Sequence, residues 1–600
     1  MIHNMNPFVA TDWYKPSHIS MYHEKTGFIQ SNFTPRSARL FPHFATADQR
    51  VMPAGIQGFV KWFFIDMFQR NFFNVSKKKA ISGLQKHADK SIGKGKVDMS
   101  GIEAVYDLGY LPLEIRALPE GSLSPIGVPV YTIQNTVPGF GWLVNFFESV
   151  MSSETWKTMN TATTMRQFKI LCVNAAKETC DNMDHLPFQC HMFAFRGEAG
   201  LADASQSELG HLIHFMGTDT IPSQWYAEEY YNMEDEFVAG SIPATEHSVA
   251  TTNIGFIVED LKSRAYPDGA VPSLDELRYR AEVIFLDKML TKLYPDGPFS
   301  YVADSYDWGR MVSEGLRELK PQIMARDGKL VFRPDSGDPV RVICGIELPV
   351  VNLDIENTTD EHNERGSWSR DEIIEDYIRD VAYYATQERD GEEDFDFIFQ
   401  DKTGKVYKAV MRTYFEYDRT LHSELVSYEE HFLTDEEKGA IQVMWEIFGG
   451  TVNSKGYKVL DPHIGLIYGD SITVQRATQI FKQLKAKGFA SSNVVFGVGS
   501  YTTQYATRDS LGSAVKATAA IIDGIEIMVS KEPKTDPGKR SAKGAVKVVR
   551  GEDGNFKLVD GFGFDELDTP DNELRVIFRD GKMIVDESLT DLRNRAASYL

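Results

Sequence analysis

Seven short apolar runs, each closing on polar or charged residues, recur between residues 190 and 500 and limit what this chain can fold into. They are CHMFAFRG (190–197), HLIHFMGTD (211–219), EFVAGSIPATEHS (236–248), FSYVADSYD (299–307), KLVFRPDSG (329–337), HIGLIYGDS (463–471) and NVVFGVGS (493–500). Helical patterns such as Leu274–Leu293 and Ile472–Lys487 separate several of them. Alternating β and α units predict a parallel sheet with crossover helices, either a barrel or a doubly wound sheet. Ligands in such folds sit at the C-terminal ends of the strands. One polar residue at a strand end is usually a loop residue. Seven such ends in succession point to a barrel mouth.

The flanks read differently. Residues 1–150 mix helical and strand-like segments: an aromatic-rich stretch at Gly58–Phe73, short strands within 113–130, then helical patterns at Trp142–Met151 and Thr155–Cys180. A block with limits near 346 and 449 interrupts the β/α alternation, and residues 351–450 carry 26 Asp plus Glu against 10 Lys plus Arg. Its own helix (Ser369–Glu388) and strands (Phe395–Gln400, Val406–Tyr417), with abundant Tyr, Phe and Trp, predict a folded lobe rather than disorder.

Charge and cysteine usage exclude several classes of function. A net charge of −22 argues against non-specific nucleic-acid binding. Four cysteines without a CxxC pair suit neither a disulfide framework nor a structural zinc site. The first residues lack the basic and apolar regions of a secretory signal, and no run approaches the ~18 apolar residues of a membrane span. A cytoplasmic enzyme with no membrane partner is the expectation.

Several motifs carry phosphate chemistry. In VFRPDSGDP, Arg333 offers a planar fork of donors, Asp335 suits a ribose hydroxyl or magnesium, and Ser336–Gly337 frees backbone N–H groups. The same residues could equally form an Arg–Asp pair capping a turn. In FGVGSYTT (496–503), Gly497 and Gly499 would let backbone approach an anion at a helix start, with Arg508 further on; a tight turn is the plainer alternative. YGDS (468–471) is equally open. KEPKTDPGKRSAKG (531–544) is a basic stretch in an acidic chain, either a polyphosphate contact or a solvated loop.

Taken with ATDWYKPSH (10–18), HMFAFRG (191–197), GTDT (217–220), EHS (246–248), DSYD (304–307), RPDSG (333–337), NSKGY (453–457), GD (469–470), TRD (507–509) and KRSAKG (539–544), the chain resembles the nicotinamide phosphoribosyltransferases, type II phosphoribosyltransferases related to the nicotinate and quinolinate enzymes. The resemblance runs from about residue 8 to the end, apart from the acidic block. It implies that Phe193, and Tyr14 from a partner subunit, sandwich the nicotinamide ring, with Asp219 accepting from the carboxamide and Arg196 beside ring and phosphates. It assigns the ribose to Asp335 with Arg333 close by, and the ribose and its 5-phosphate to Gly469, Asp470, Gly499, Ser500 and Arg508. Arg36, Lys531 and Lys539 would engage pyrophosphate, some of them across a homodimer interface. Asp304 resembles a carboxylate one layer back from a magnesium-bound pyrophosphate, and His247 the histidine that the family phosphorylates with ATP. Two departures stand out: Gly499–Ser500–Tyr501 replaces a longer glycine run, and shorter family members lack the acidic insertion.

The expected architecture is an irregular parallel (β/α) barrel (181–510) plus an α+β domain built from residues 1–180 and 511–600, with the acidic insertion (346–449) inside the barrel. The expected reaction is phosphoribosyl transfer from phosphoribosyl pyrophosphate to nicotinamide, with Mg²⁺ held mainly through pyrophosphate and ATP as co-substrate. A pyridine nitrogen is already an unprotonated nucleophile, so positioning and cationic stabilisation of the leaving group would carry catalysis. The nearest rival is a nicotinate phosphoribosyltransferase, which the carboxylate of Asp219 disfavours. A non-catalytic protein with this fold would be expected to lose some of the strand-end charges. A general phosphotransferase would be expected to carry a GxxxxGK[ST] loop, which this chain lacks.

Overall fold

The computed structural model describes residues 4–600 except 45, 265, 267–269, 354–368, 418, 470 and 531–541. Asp470, Lys531 and Lys539, named above as phosphate contacts, lie outside the described residues.

Six of the apolar runs supply strands to one parallel sheet, in the order Gly217–Thr218, Cys190–Met192, Val494–Val498, Ile464–Tyr468, Leu330–Arg333, Phe299–Val302. Leu466, Tyr468, Val494, Phe496 and Val498 are all buried, as expected of strands covered on both faces. The remaining run, 236–248, forms no strand. It crosses from one edge of the sheet to the other, bridging Gly240 to Gly217 and Ala244 to Ser300, and so closes the curled sheet into a barrel. Pro243 has no N–H to donate, and the segment pairs at its ends instead of along its length. The run HLIHF (211–215) is likewise not a strand; it begins inside the short helix Leu209–Leu212, with only Gly217–Thr218 extended beyond it.

A seven-stranded antiparallel sheet is built from both chain ends, in the order Ile525–Met528, Ala514–Ile522, Thr26–Thr34, Tyr131–Asn135, Leu113–Ala117, Arg575–Arg579, Lys582–Met583. The aromatic stretch coils continuously from Ile56 to Phe73, mostly in a wide i→i+5 spiral, and packs its phenylalanines into this sheet's core. One helix, Glu148–Thr179, belongs to both cores: Met151 and Met159 pack with the antiparallel sheet, while Met165, Phe168 and Cys172 pack with the barrel. At 32 residues it is about 48 Å long, a rigid connection between the two sheets.

The acidic block folds as a lobe with its own core. Helix Arg370–Gln387, started by a Ser369–Glu372 capping box, lays Ile374 and Ile378 on a three-stranded sheet (Asp394–Gln400, Val406–Phe415, Leu421–Glu430) beside Phe395, Phe399 and Met411. Its stems meet at two glycines with positive φ: a Cβ on Gly345 would lie 2.2 Å from the Glu437 carbonyl oxygen, and one on Gly439 would lie 2.1 Å from the Gly345 nitrogen. The following helix, Ala440–Phe448, packs its apolar face into the barrel core.

Candidate active site

The C-terminal ends of the barrel strands converge on a pocket of ≈ 630 Å³ lined by Phe193, Phe195, Arg196, Asp219, Thr220, Arg333, Asp335 and Gly469. Phe193 follows strand Cys190–Met192 and is anchored by its N–H donating to the Val498 carbonyl (2.8 Å). Its ring lies across two glycines on neighbouring strands: a Cβ on Gly497 would sit 2.5 Å from the ring and one on Gly469 3.2 Å away. At Gly497 the missing side chain makes room for an aromatic ring. Arg196 is exposed at the same rim, with no ion pair among the described residues.

Asp219 follows strand Gly217–Thr218. Its Oδ1 accepts from His191 Nε2 (2.8 Å) and from the Ser241 hydroxyl, and its N–H donates to the Met192 carbonyl (3.1 Å). Burial raises the pKa of this carboxyl, but the bonds from His191 and Ser241 and the nearby Arg333 charge outweigh it, so the group stays ionised below the usual aspartate range. With Oδ1 fully engaged, Oδ2 is left to meet a donor.

Arg333 ends strand Leu330–Arg333. One terminal nitrogen donates to the Thr245 carbonyl (2.9 Å), Nε lies 3.4 Å from Asp335 Oδ1, and the side chain is largely buried. The Arg–Asp pair of the plainer reading is thus present, and both residues line the pocket.

Asp304 follows strand Phe299–Val302, and its carboxylate is 4% exposed. Oδ1 meets His247 Nε2 at 2.9 Å; Oδ2 accepts from the Asp335 N–H (3.0 Å) and the Ser336 hydroxyl (2.7 Å). Burial raises its pKa, and the three donors more than reverse that. His247 is the first residue of helix His247–Ser263, with its imidazole half exposed.

Gly499 precedes helix Ser500–Gln504, and Ser500 lies against the Phe195–Gly197 turn so closely that a Cβ on Gly197 would overlap its hydroxyl. The two loops are further tied through buried Lys157, which pairs with Glu198 and Asp203, while Glu198 accepts from Thr503 (2.5 Å).

Tyr14, Arg36 and Arg508 do not line the ring pocket. Within one chain they share a separate cavity of ≈ 430 Å³ with Asp12, Trp156 and Lys516. Arg36 donates to the Gly512 carbonyl (2.7 Å), Arg508 pairs with Asp509 (2.8 Å), and Tyr14 is exposed. NSKGY lines neither cavity. It closes the end of the long helix, where Asn453 Nδ2 donates to the Thr179 carbonyl (2.7 Å) and Lys455 Nζ to the Lys177 carbonyl (2.7 Å).

Sequence reasoning quoted His191 and Thr220 inside HMFAFRG and GTDT without giving either a role, and it missed Ser241. His191 shares its strand face with Phe193 two residues on, a signal available in HMF; Ser241 carries none.

The model of the nicotinate phosphoribosyltransferase (NAPRTase) family matches residues 425–581. Over 607 aligned residues the chain is 37% identical to a nicotinamide phosphoribosyltransferase of Acinetobacter baylyi, covering 100% of this chain and 99% of that one. The nicotinamide phosphoribosyltransferase of Mycoplasma pneumoniae is 28% identical over 556 residues, covering 90% of this chain and 95% of its own. The crystal structure of human nicotinic acid phosphoribosyltransferase covers 98% of this chain at 13% identity, with a TM-score of 0.47. With full-length identity at this level, the chain belongs to the nicotinamide phosphoribosyltransferase family.

Proposed function

We propose that this chain transfers the phosphoribosyl group of phosphoribosyl pyrophosphate to the ring nitrogen of nicotinamide, releasing pyrophosphate and nicotinamide mononucleotide for NAD synthesis. The observation that carries the proposal is Asp219: an ionised carboxylate, locked on one oxygen by His191 and Ser241, lining the same pocket as the Phe193 ring. Its other oxygen suits an amide N–H and repels a carboxylate substituent. A flat heterocycle on Phe193 then gains stacking as well as burial.

In this reading the ring nitrogen attacks ribose C1 as pyrophosphate leaves, and the protein's part is to position both and to offset charge. Asp335 holds the ribose, and Arg333 and Arg196 supply positive charge at the rim. Among the described residues no group of three or more His, Cys, Asp or Glu stands ready to hold a metal. At the pocket Asp335 would be the residue to hold a magnesium ion brought in with the pyrophosphate of the substrate. When bound there, such an ion would supply neutralisation of the charge on the leaving pyrophosphate. His247 is the acceptor for a phosphoryl group from ATP, since Asp304 orients its Nε2 and the exposed ring leaves the other nitrogen free to react. The working enzyme is a cytoplasmic homodimer in which Tyr14 and Arg36 complete the neighbouring subunit's site. Among the described residues no helix is long and apolar enough to cross a membrane.

The family-model match favours a second reading, transfer to nicotinate. One experiment separates the two: incubation with phosphoribosyl pyrophosphate, Mg²⁺ and either nicotinamide or nicotinate, and identification of the mononucleotide formed. Product from nicotinate alone overturns the proposal.

A further inference from the structure

Behind the pocket, on the far side of Asp219, lies a carboxyl group that no step of the reaction uses. Glu208 sits between helices Leu201–Ser207 and Leu209–Leu212 and is 0% exposed. Its Oε1 accepts from the Thr220 hydroxyl (2.7 Å) and its Oε2 from the Thr218 hydroxyl (3.3 Å). Thr218 Oγ1 in turn accepts the Thr220 N–H (3.0 Å). Thr218, Thr220 and Glu208 thus close a ring of hydrogen bonds, all three buried, with Asp219 at its apex and exposed.

A buried carboxyl is a costly filler. Burial, joined by the charge of Glu198, lifts Glu208 to about 8 despite the threonine hydroxyls that oppose the shift. An apolar side chain would occupy the space at less cost. What an apolar side chain cannot do is hydrogen-bond to two hydroxyls at once, and those hydroxyls belong to the residues on either side of Asp219.

We infer that Glu208 is a positioning residue for recognition of the nicotinamide amide, acting by clamping Thr218 and Thr220 so that the free oxygen of Asp219 is held in place. The inference rests on reading Asp219 as the acceptor of the amide N–H. Glu208 touches no substrate; its effect passes through the backbone of 218–220.

The test is steady-state transfer by Glu208→Ala and Glu208→Gln, with nicotinamide varied and phosphoribosyl pyrophosphate saturating. In Glu208→Ala the KM for nicotinamide is expected to rise roughly tenfold and the preference over nicotinate to shrink, as for a slightly misplaced binding group. The KM for phosphoribosyl pyrophosphate should move by less than about twofold. Glu208→Gln, which keeps an acceptor oxygen, should recover most of the loss. A folded Glu208→Ala with unchanged nicotinamide KM and substrate ratio overturns the inference. Where Glu208→Ala fails to fold, Thr220→Val removes one arm of the ring at constant shape, with the same rise expected and the same constancy overturning it. A double-mutant cycle of Glu208→Ala with Asp219→Asn should show coupled effects on nicotinamide kcat/KM; strict additivity also overturns it. A parent enzyme that makes no nicotinamide mononucleotide instead overturns the reading of the pocket, a separate outcome.

Discussion

His247 and Asp304 are joined ring to carboxylate, Nε2 to Oδ1 at 2.9 Å, and the other oxygen of the same carboxylate holds the backbone N–H of Asp335. One buried group thus fixes both the histidine at the start of a helix and the aspartate assigned to the ribose.

Asp304→Asn should therefore damage two functions together. Acid-labile labelling of His247 by ATP should fall, and the KM for phosphoribosyl pyrophosphate should rise. Each lost bond to a charged acceptor is worth about 1.5–3 kcal/mol, or roughly tenfold to a hundredfold. His247→Ala should abolish the label yet leave basal transfer. Parental labelling in Asp304→Asn would show that the histidine needs no carboxylate behind it.

Asp219→Ser or Asp219→Asn should lower nicotinamide efficiency by roughly 1–3 kcal/mol and raise the relative use of nicotinate. An unchanged substrate ratio sinks the assignment. The sign of the pH effect follows from the depressed pKa: the ionised form is kept until the pH falls below the usual aspartate range. Amide preference, measured as the ratio of kcat/KM values, should thus stay flat from neutrality down to about pH 5.

Gly497→Ala is a probe of ring placement. The new methyl group would meet Phe193 at 2.5 Å, so the ring must tilt or the strand must shift. Overpacking of this kind costs about 1–3 kcal/mol. Weaker nicotinamide binding by calorimetry is expected, with the phosphate-dependent KM little changed. Intact nicotinamide affinity would mean that the ring does not stack on Phe193.

Tyr14 and Arg36 line a cavity apart from Phe193 within one chain, so a shared site makes a specific demand. Inactive Tyr14→Ala/Arg36→Ala chains mixed with inactive Arg333→Ala/Asp335→Ala chains should regain activity in heterodimers. No recovery after confirmed subunit exchange would assign each site to a single chain.

Replacing residues 346–438 by a short Gly/Ser linker should leave a dimer with near-parental kinetics, because the stems already touch and closing them again costs little. A folded truncation that has lost transfer would make the lobe part of the site.

Much of this was legible in the sequence. The barrel strands were, because runs such as GLIY and VVFGV are buried on both faces and must be continuously apolar. The strand-end rule likewise gathered Arg196, Asp219, Arg333, Asp335 and Gly469 at one pocket, whereas Phe193 was marked only by the family resemblance. HLIHF misled because a short buried run fits a helix turn as well as a strand. The run at 236–248 misled because its role is bridging at two points. Strand Leu421–Glu430 escaped notice because half of it is exposed and its glutamates mask any alternation. Glu208 was invisible for a different reason: its partners, Thr218 and Thr220, are ordinary residues whose value lies in flanking Asp219, and only three-dimensional contact reveals the ring.

The paired glycines at 345 and 439 have a consequence for how such a chain can change over generations. Because they bring the two stems into backbone contact, residues 344 and 440 are already neighbours in space, whatever lies between them. A genetic event that deletes or exchanges the intervening segment would leave the barrel's covalent path almost undisturbed. Any side chain at either glycine would wedge the stems apart and remove that freedom. The two positions act as a socket whose fit depends on the stems alone and not on what is plugged into it.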